Sequence, residues 1–76
     1  MKETYYGKII DVLPSRVLMR VISELGDEPI LRTFETEAMM GVIDLRPNNI
    51  VKITMEISPG KLTIEYAPAE KSDYNE

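Results

Sequence analysis

Apolar and polar residues alternate most regularly between Ile50 and Tyr66, and the alternation continues through a turn. Val51, Ile53, Met55 and Ile57 are interleaved with Lys52, Thr54 and Glu56; after Ser58-Pro59-Gly60-Lys61 the pattern resumes as Leu62, Ile64 and Tyr66 against Thr63 and Glu65. A period of two on both sides of a turn predicts an antiparallel hairpin. Pro59 presets φ at the first central turn position, and Gly60 supplies the positive φ that a type II turn requires at the second. Closing the turn between Ser58 and Lys61 sets Ile57 opposite Leu62, Met55 opposite Ile64 and Ile53 opposite Tyr66. All six then share one face, and a one-residue slip would turn the whole set outward, so turn and pattern specify the same register. Ile53, Met55, Ile57, Leu62 and Ile64 are therefore expected to be buried.

A second hairpin is expected from residues 4 to 13 and 16 to 23 about Pro14-Ser15. With that dipeptide at the turn centre, Val12 faces Val17 and Ile10 faces Met19. One face then carries Tyr6, Ile10, Val12, Val17, Met19 and Val21. The opposite face carries Tyr5, Ile9, Asp11, Leu18, Arg20 and Ile22, too apolar for a solvated surface and too charged for a second core. Gly7, within the strand, marks a bulge or a close backbone approach.

Leu25-Gly26-Asp27-Glu28-Pro29 reads as a turn, and Ile30 to Glu35 as a third strand. Its inward set has two readings: Ile30 and Phe34 with Arg32 at a rim, or Leu31 and Thr33. Alternation then stops, and Thr36 to Ile43 reads as a short helix of at most two turns, capped by Thr36, with Met39, Met40 and Ile43 at helical spacing. Arg46-Pro47-Asn48-Asn49 is a turn in which asparagine tolerates positive φ. The apolar pattern fades after Tyr66, which predicts one domain over residues 1–67 and a flexible polar tail over 68–76.

Two-stranded ribbons are unstable alone, so five strands with one-sided apolar patterning are expected to curl into a small, mainly β barrel. The order strand, strand, strand, short helix, strand, strand resembles the OB-fold, a five-stranded Greek-key barrel, over residues 4 to 66. An SH3-like barrel is the alternative, but its helical turn falls between the last two strands, where this chain has Pro59-Gly60. The resemblance is one of element order, and fold alone does not specify function.

Composition narrows the chemistry. The 76 residues include no Cys, His or Trp, and nine Lys and Arg stand against thirteen Asp and Glu, for a formal net charge of -4. No thiol nucleophile, no imidazole base, and none of the cysteine and histidine ligands of zinc and iron-sulfur sites is present. No cofactor or metal is expected. A chain this short buries only roughly 60% of its unfolded surface, leaving little room for a deep cleft. The carboxylates Asp11, Glu35, Glu56 and Glu65 sit at outward strand positions, and the four glycines, Gly7, Gly26, Gly41 and Gly60, are too dispersed for a phosphate loop. No enzymatic activity is expected. Without cysteine, a basic-apolar leader or a long apolar run, the expected compartment is the cytoplasm, with no membrane association.

What remains is binding. The mixed face of the first hairpin, Tyr5, Ile9, Leu18, Arg20 and Ile22, is the candidate protein interface, engaging a protein partner or a second copy of the chain as a homodimer. The competing explanation is that the helix or tail covers it. A single-stranded nucleic-acid site is the alternative function, using Arg16, Arg20, Arg32, Phe34 and Lys61 for phosphate contact and base stacking. The acidic balance weighs against it. The sequence thus points to a non-catalytic binding or adaptor module acting through protein contacts.

Overall fold

The computed structural model describes residues 1–23 and 28–74. Five antiparallel strands form one sheet: β1 (Lys2–Val12), β2 (Arg16–Ser23), β3 (Ile30–Glu35), β4 (Ile50–Ser58) and β5 (Lys61–Ala69), in the spatial order β3-β2-β1-β4-β5. The sheet does not close into a barrel, because β3 and β5 are its two edges. It curls instead, until the rings of Phe34 and Tyr66 meet edge to face across the inner side at a centroid distance of 6.0 Å.

The β4–β5 hairpin has the register its alternation dictates: Ser58 pairs with Lys61, Ile57 with Leu62, Met55 with Ile64 and Ile53 with Tyr66. Gly60 adopts φ +73°, the left-handed value its turn position demands. β5 runs two residues past 67, pairing Pro68 with Val51 and Ala69 with Ile50. A 3-10 turn, Lys71–Asp73, follows, closed by a reciprocal capping box between Glu70 and Asp73. Tyr74 then returns to the body beside Lys8, Asn48 and Ile50.

The first hairpin departs from expectation at one residue. Val12 pairs with Val17 as expected, but a β-bulge between Ile9 and Asp11 inserts Ile10 as an extra residue, so Ile9, not Ile10, lies opposite Met19. A bulge reverses the inward-outward alternation of everything beyond it. Tyr5, Gly7 and Ile9 thus face inward with Val12, while Tyr6 joins Leu18, Arg20 and Ile22 outside. The outer loop holds this arrangement: the Ile9 N–H donates to the Asn49 carbonyl (3.0 Å), and the Asn48 N–H donates to the Ile9 carbonyl (2.7 Å). Asn48 reaches that position with φ +75°.

The expected helix is only a 3-10 turn, Thr36–Ala38. Its N-terminus has no side-chain cap, and Gly41, at φ +82°, turns the chain away before a second helical turn can propagate. The segment nevertheless delivers Met39 and Ile43 to the core, where they join Ile9, Val17, Met19, Val21, Val51 and Ile53. Ile22 and Ile50 are also buried, but on the outer face and apart from this cluster. The turn read over Leu25 to Pro29 lies in part outside the described residues.

Candidate functional site

Met39 and Ile43 cover one end of the inner face, and among the described residues no segment covers the other end. Pairing of β1 with β2 reaches Tyr5–Ser23, whereas pairing of β1 with β4 continues to Lys2–Glu56, so at this end the sheet narrows to β1, β4 and β5 among the described residues. The inner row of the β4–β5 hairpin therefore projects beyond the strands that would cover it. Ile53 is fully buried and Met55 half-buried, but Ile57, Leu62 and Ile64 are 44%, 59% and 39% exposed. Burial expected for all five residues holds only for the first part of the row.

Next to this bare end lies a cavity of about 330 Å³ on the inner face, lined by Tyr5, Val21, Ile30, Phe34, Ile53 and Met55, with Glu28 and Arg32 as its charged members. Of the two readings for β3, the structure takes the first: Ile30, Arg32 and Phe34 point to the inner side, and Arg32 is exposed. Ile30, at 48% exposure, extends the apolar surface of the β4–β5 tip across the opening. Tyr66, half-buried behind Phe34, has its phenol pushed above the usual tyrosine value by burial and then by the negative charge of Glu35. That charge acting from β3 on a β5 residue fits two edges that come close without pairing.

The residues proposed from sequence do not assemble into the faces expected. Ile9 is fully buried in the core and Tyr5 packs against it, so neither shares a surface with Leu18, Arg20 and Ile22. The bulge at Ile10 is the reason. On the outer face Ile22 is itself buried and Leu18 half-buried, which leaves only Arg20 of the three exposed. The cationic set divides similarly: Arg16 and Arg20 are on the outer row, Arg32 and Phe34 on the inner row, and Lys61 lies at the tip of the β4–β5 hairpin. Asp11, Glu35, Glu56 and Glu65 are all exposed, and no buried polar side chain is found among the described residues. No group of three or more potential metal-binding acids occurs among them either.

Comparison with protein-family models, curated proteins and solved structures finds no match. The site is accordingly defined by its own geometry: an exposed apolar strip, Ile57, Leu62 and Ile64, that adjoins, through Met55, an apolar cavity on the inner face lined by residues of β1 to β4, Ile30 among them. Sequence patterning had already placed the hairpin row on one face. What it lacked was any signal that Ile57, Leu62 and Ile64, at the far end of that face, would stay exposed. No helix among the described residues is long and apolar enough to cross a membrane.

Proposed function

We propose that this chain is a non-catalytic binding module that holds a protein partner on the bare apolar end of its inner face. One observation carries the reading: four large aliphatic side chains stand 39% to 59% exposed, Ile30 on the wall of a predominantly apolar cavity and Ile57, Leu62 and Ile64 on the hairpin row that adjoins it through Met55. A small domain seldom leaves such a strip in water unless it is an interaction surface. An OB-like architecture belongs to the same proposal. Strands β1 to β4 lie in Greek-key order, 3-2-1-4, and β5 extends the sheet so that joining β3 to β5 would complete a five-stranded barrel. The cysteine-free composition supports the cytoplasm as the compartment.

Adjacent residues on opposite faces give the test. A photo-crosslinking amino acid replaces either Leu62, on the inner row, or Thr63, on the outer row, in cells producing the protein. Protein adducts from the Leu62 position, with few from Thr63, are expected. Equal yields from both positions, or none, would refute docking on the inner face. Adducts of the protein with itself would identify the partner as a second copy. Saturable, salt-sensitive binding of a mixed oligonucleotide, together with absent adducts, would favour the nucleic-acid alternative.

A further inference from the structure

The seam between β3 and β5 has a polarity that determines what can fill it. Every neighbouring pair in the order β3-β2-β1-β4-β5 is antiparallel, so the two edges, four steps apart, run in the same direction. A strand running opposite to both would pair antiparallel on each side and continue the pattern of the whole sheet. Direct closure of β3 onto β5 would instead require a parallel pairing, slightly weaker per residue. No backbone hydrogen bond joins the edges among the described residues, and their contact is made by the rings of Phe34 and Tyr66. Counting back from that contact along two parallel strands brings Arg32 level with Ile64 and Ile30 level with Leu62.

Side-chain chemistry along the seam is equally specific. The inner rows of the two edges are apolar but for a single cation: Ile30, Arg32 and Phe34 on β3, and Leu62, Ile64 and Tyr66 on β5. The Arg32 guanidinium makes no ion pair or hydrogen bond with any described residue. Glu28 lies at the mouth of the cavity, and the other inner-row carboxylate, Glu3, accepts a hydrogen bond from the Tyr5 hydroxyl. A guanidinium with no partner among the described residues, set between apolar neighbours, is complementary to a carboxylate flanked by apolar side chains two positions away on an extended chain.

We propose that one extended peptide strand of a protein partner inserts between β3 and β5, antiparallel to both, with an acidic residue opposite Arg32 and apolar residues on either side of it. This rests on the binding-module reading and specifies its partner. Strand insertion would supply main-chain hydrogen bonds to two edges at once, and the Phe34–Tyr66 ring pair would stop the strand at its far end.

The probe is a labelled nine-residue peptide of alternating threonine and valine in which the central valine is replaced by aspartate. Two controls carry lysine in place of aspartate, or N-methyl groups on alternate backbone amides. Fluorescence anisotropy is expected to show the aspartate peptide binding at least about tenfold tighter than either control. Arg32→Glu, at an exposed position whose fold is checked by circular dichroism, is expected to reverse the preference to the lysine peptide. Bound peptide should slow amide exchange on both edges, over residues 30–34 and 62–66. Equal affinity of the aspartate and lysine peptides, protection of only one edge, or no binding at millimolar peptide would each overturn strand insertion. If adducts still form from Leu62 while all peptides fail, the module reading stands and the seam mode alone falls. If neither gives a signal, both fall.

Discussion

Gly7 shows how much of this fold rests on one missing methyl group. A Cβ at this position would lie 2.7 Å from Met19 Sδ and 3.6 Å from Ile53 Cδ1, in the centre of the core cluster. Met19 is fully buried, so its thioether must shift within the packed core to make room. Gly7→Ala is therefore expected to destabilise the protein by about 1 to 3 kcal/mol through overpacking. Urea unfolding checks this, and an unchanged midpoint would show that Met19 repacks without cost. Tyr66 provides a second test at the same scale. Its phenol is held above the ordinary value, chiefly by burial and secondarily by Glu35, so the folded chain keeps that proton to higher pH than the unfolded chain. The stabilisation is whole below about pH 10, where the unfolded phenol is still protonated, and is lost as pH rises from there through the raised folded value. Tyr66→Phe should flatten this alkaline decline in stability. A variant with the same slope as the parent would show that other groups cause it.

Within elements, burial follows cover as well as parity. Ile53 and Leu62 belong to the same inner row of the β4–β5 hairpin, yet one is fully buried and the other 59% exposed. Ile53→Ala should cost about 2 to 5 kcal/mol, as core truncations do, and Leu62→Ala about 0.5 kcal/mol or less. Comparable losses in chemical denaturation would mean that the hairpin tip is covered in solution. The C-terminal segment makes the opposite point. Its polar composition suggests a dispensable tail, but β5 extends to Ala69, and Tyr74 is half-buried beside Lys8 and Ile50. Deleting residues 70–76 should expose Ile50 and lower Tm by several degrees, since about 1 kcal/mol corresponds to roughly 4–8 °C in a domain of this size. A melting curve superimposable on the parent's would show that the Tyr74 contact adds nothing.

Across the whole molecule, an open curled sheet with a bare apolar end should behave differently from a closed barrel. The native protein is expected to bind an apolar fluorescent dye without unfolding, because the strip of Ile57, Leu62 and Ile64 adjoins the cavity lined by Ile30 and Met55. Replacing Leu62 and Ile64 together by serine should reduce that fluorescence at least about twofold while shifting Tm by only a few degrees, since exposed side chains contribute little to the core. If the double variant unfolds, or retains full dye binding, the strip is not where the apolar surface lies.

The existence, order and pairing of the β4–β5 hairpin were written in local chemistry, because a period-two pattern and a Pro-Gly turn each demand the same register. The range of β3 and the positive φ of Asn48 were legible for similar reasons. The facing of β1 was not. Ile9 and Ile10 are the same residue in adjacent positions, so hydrophobicity cannot say which points inward, and an inward glycine leaves no apolar mark at all. Long-range contacts decided it: the Asn48–Asn49 loop bonds to Ile9, and Met19 fills the space beside Gly7. That one-residue bulge dispersed the interface expected from Tyr5, Ile9, Leu18, Arg20 and Ile22. The bare end of the inner face was equally invisible, since alternation specifies a face but not how far its cover extends. Strand identity and register are local properties, set within a few residues of each turn. Which apolar residues stay in water depends on where strands distant in sequence end beside one another, and only the folded chain decides that.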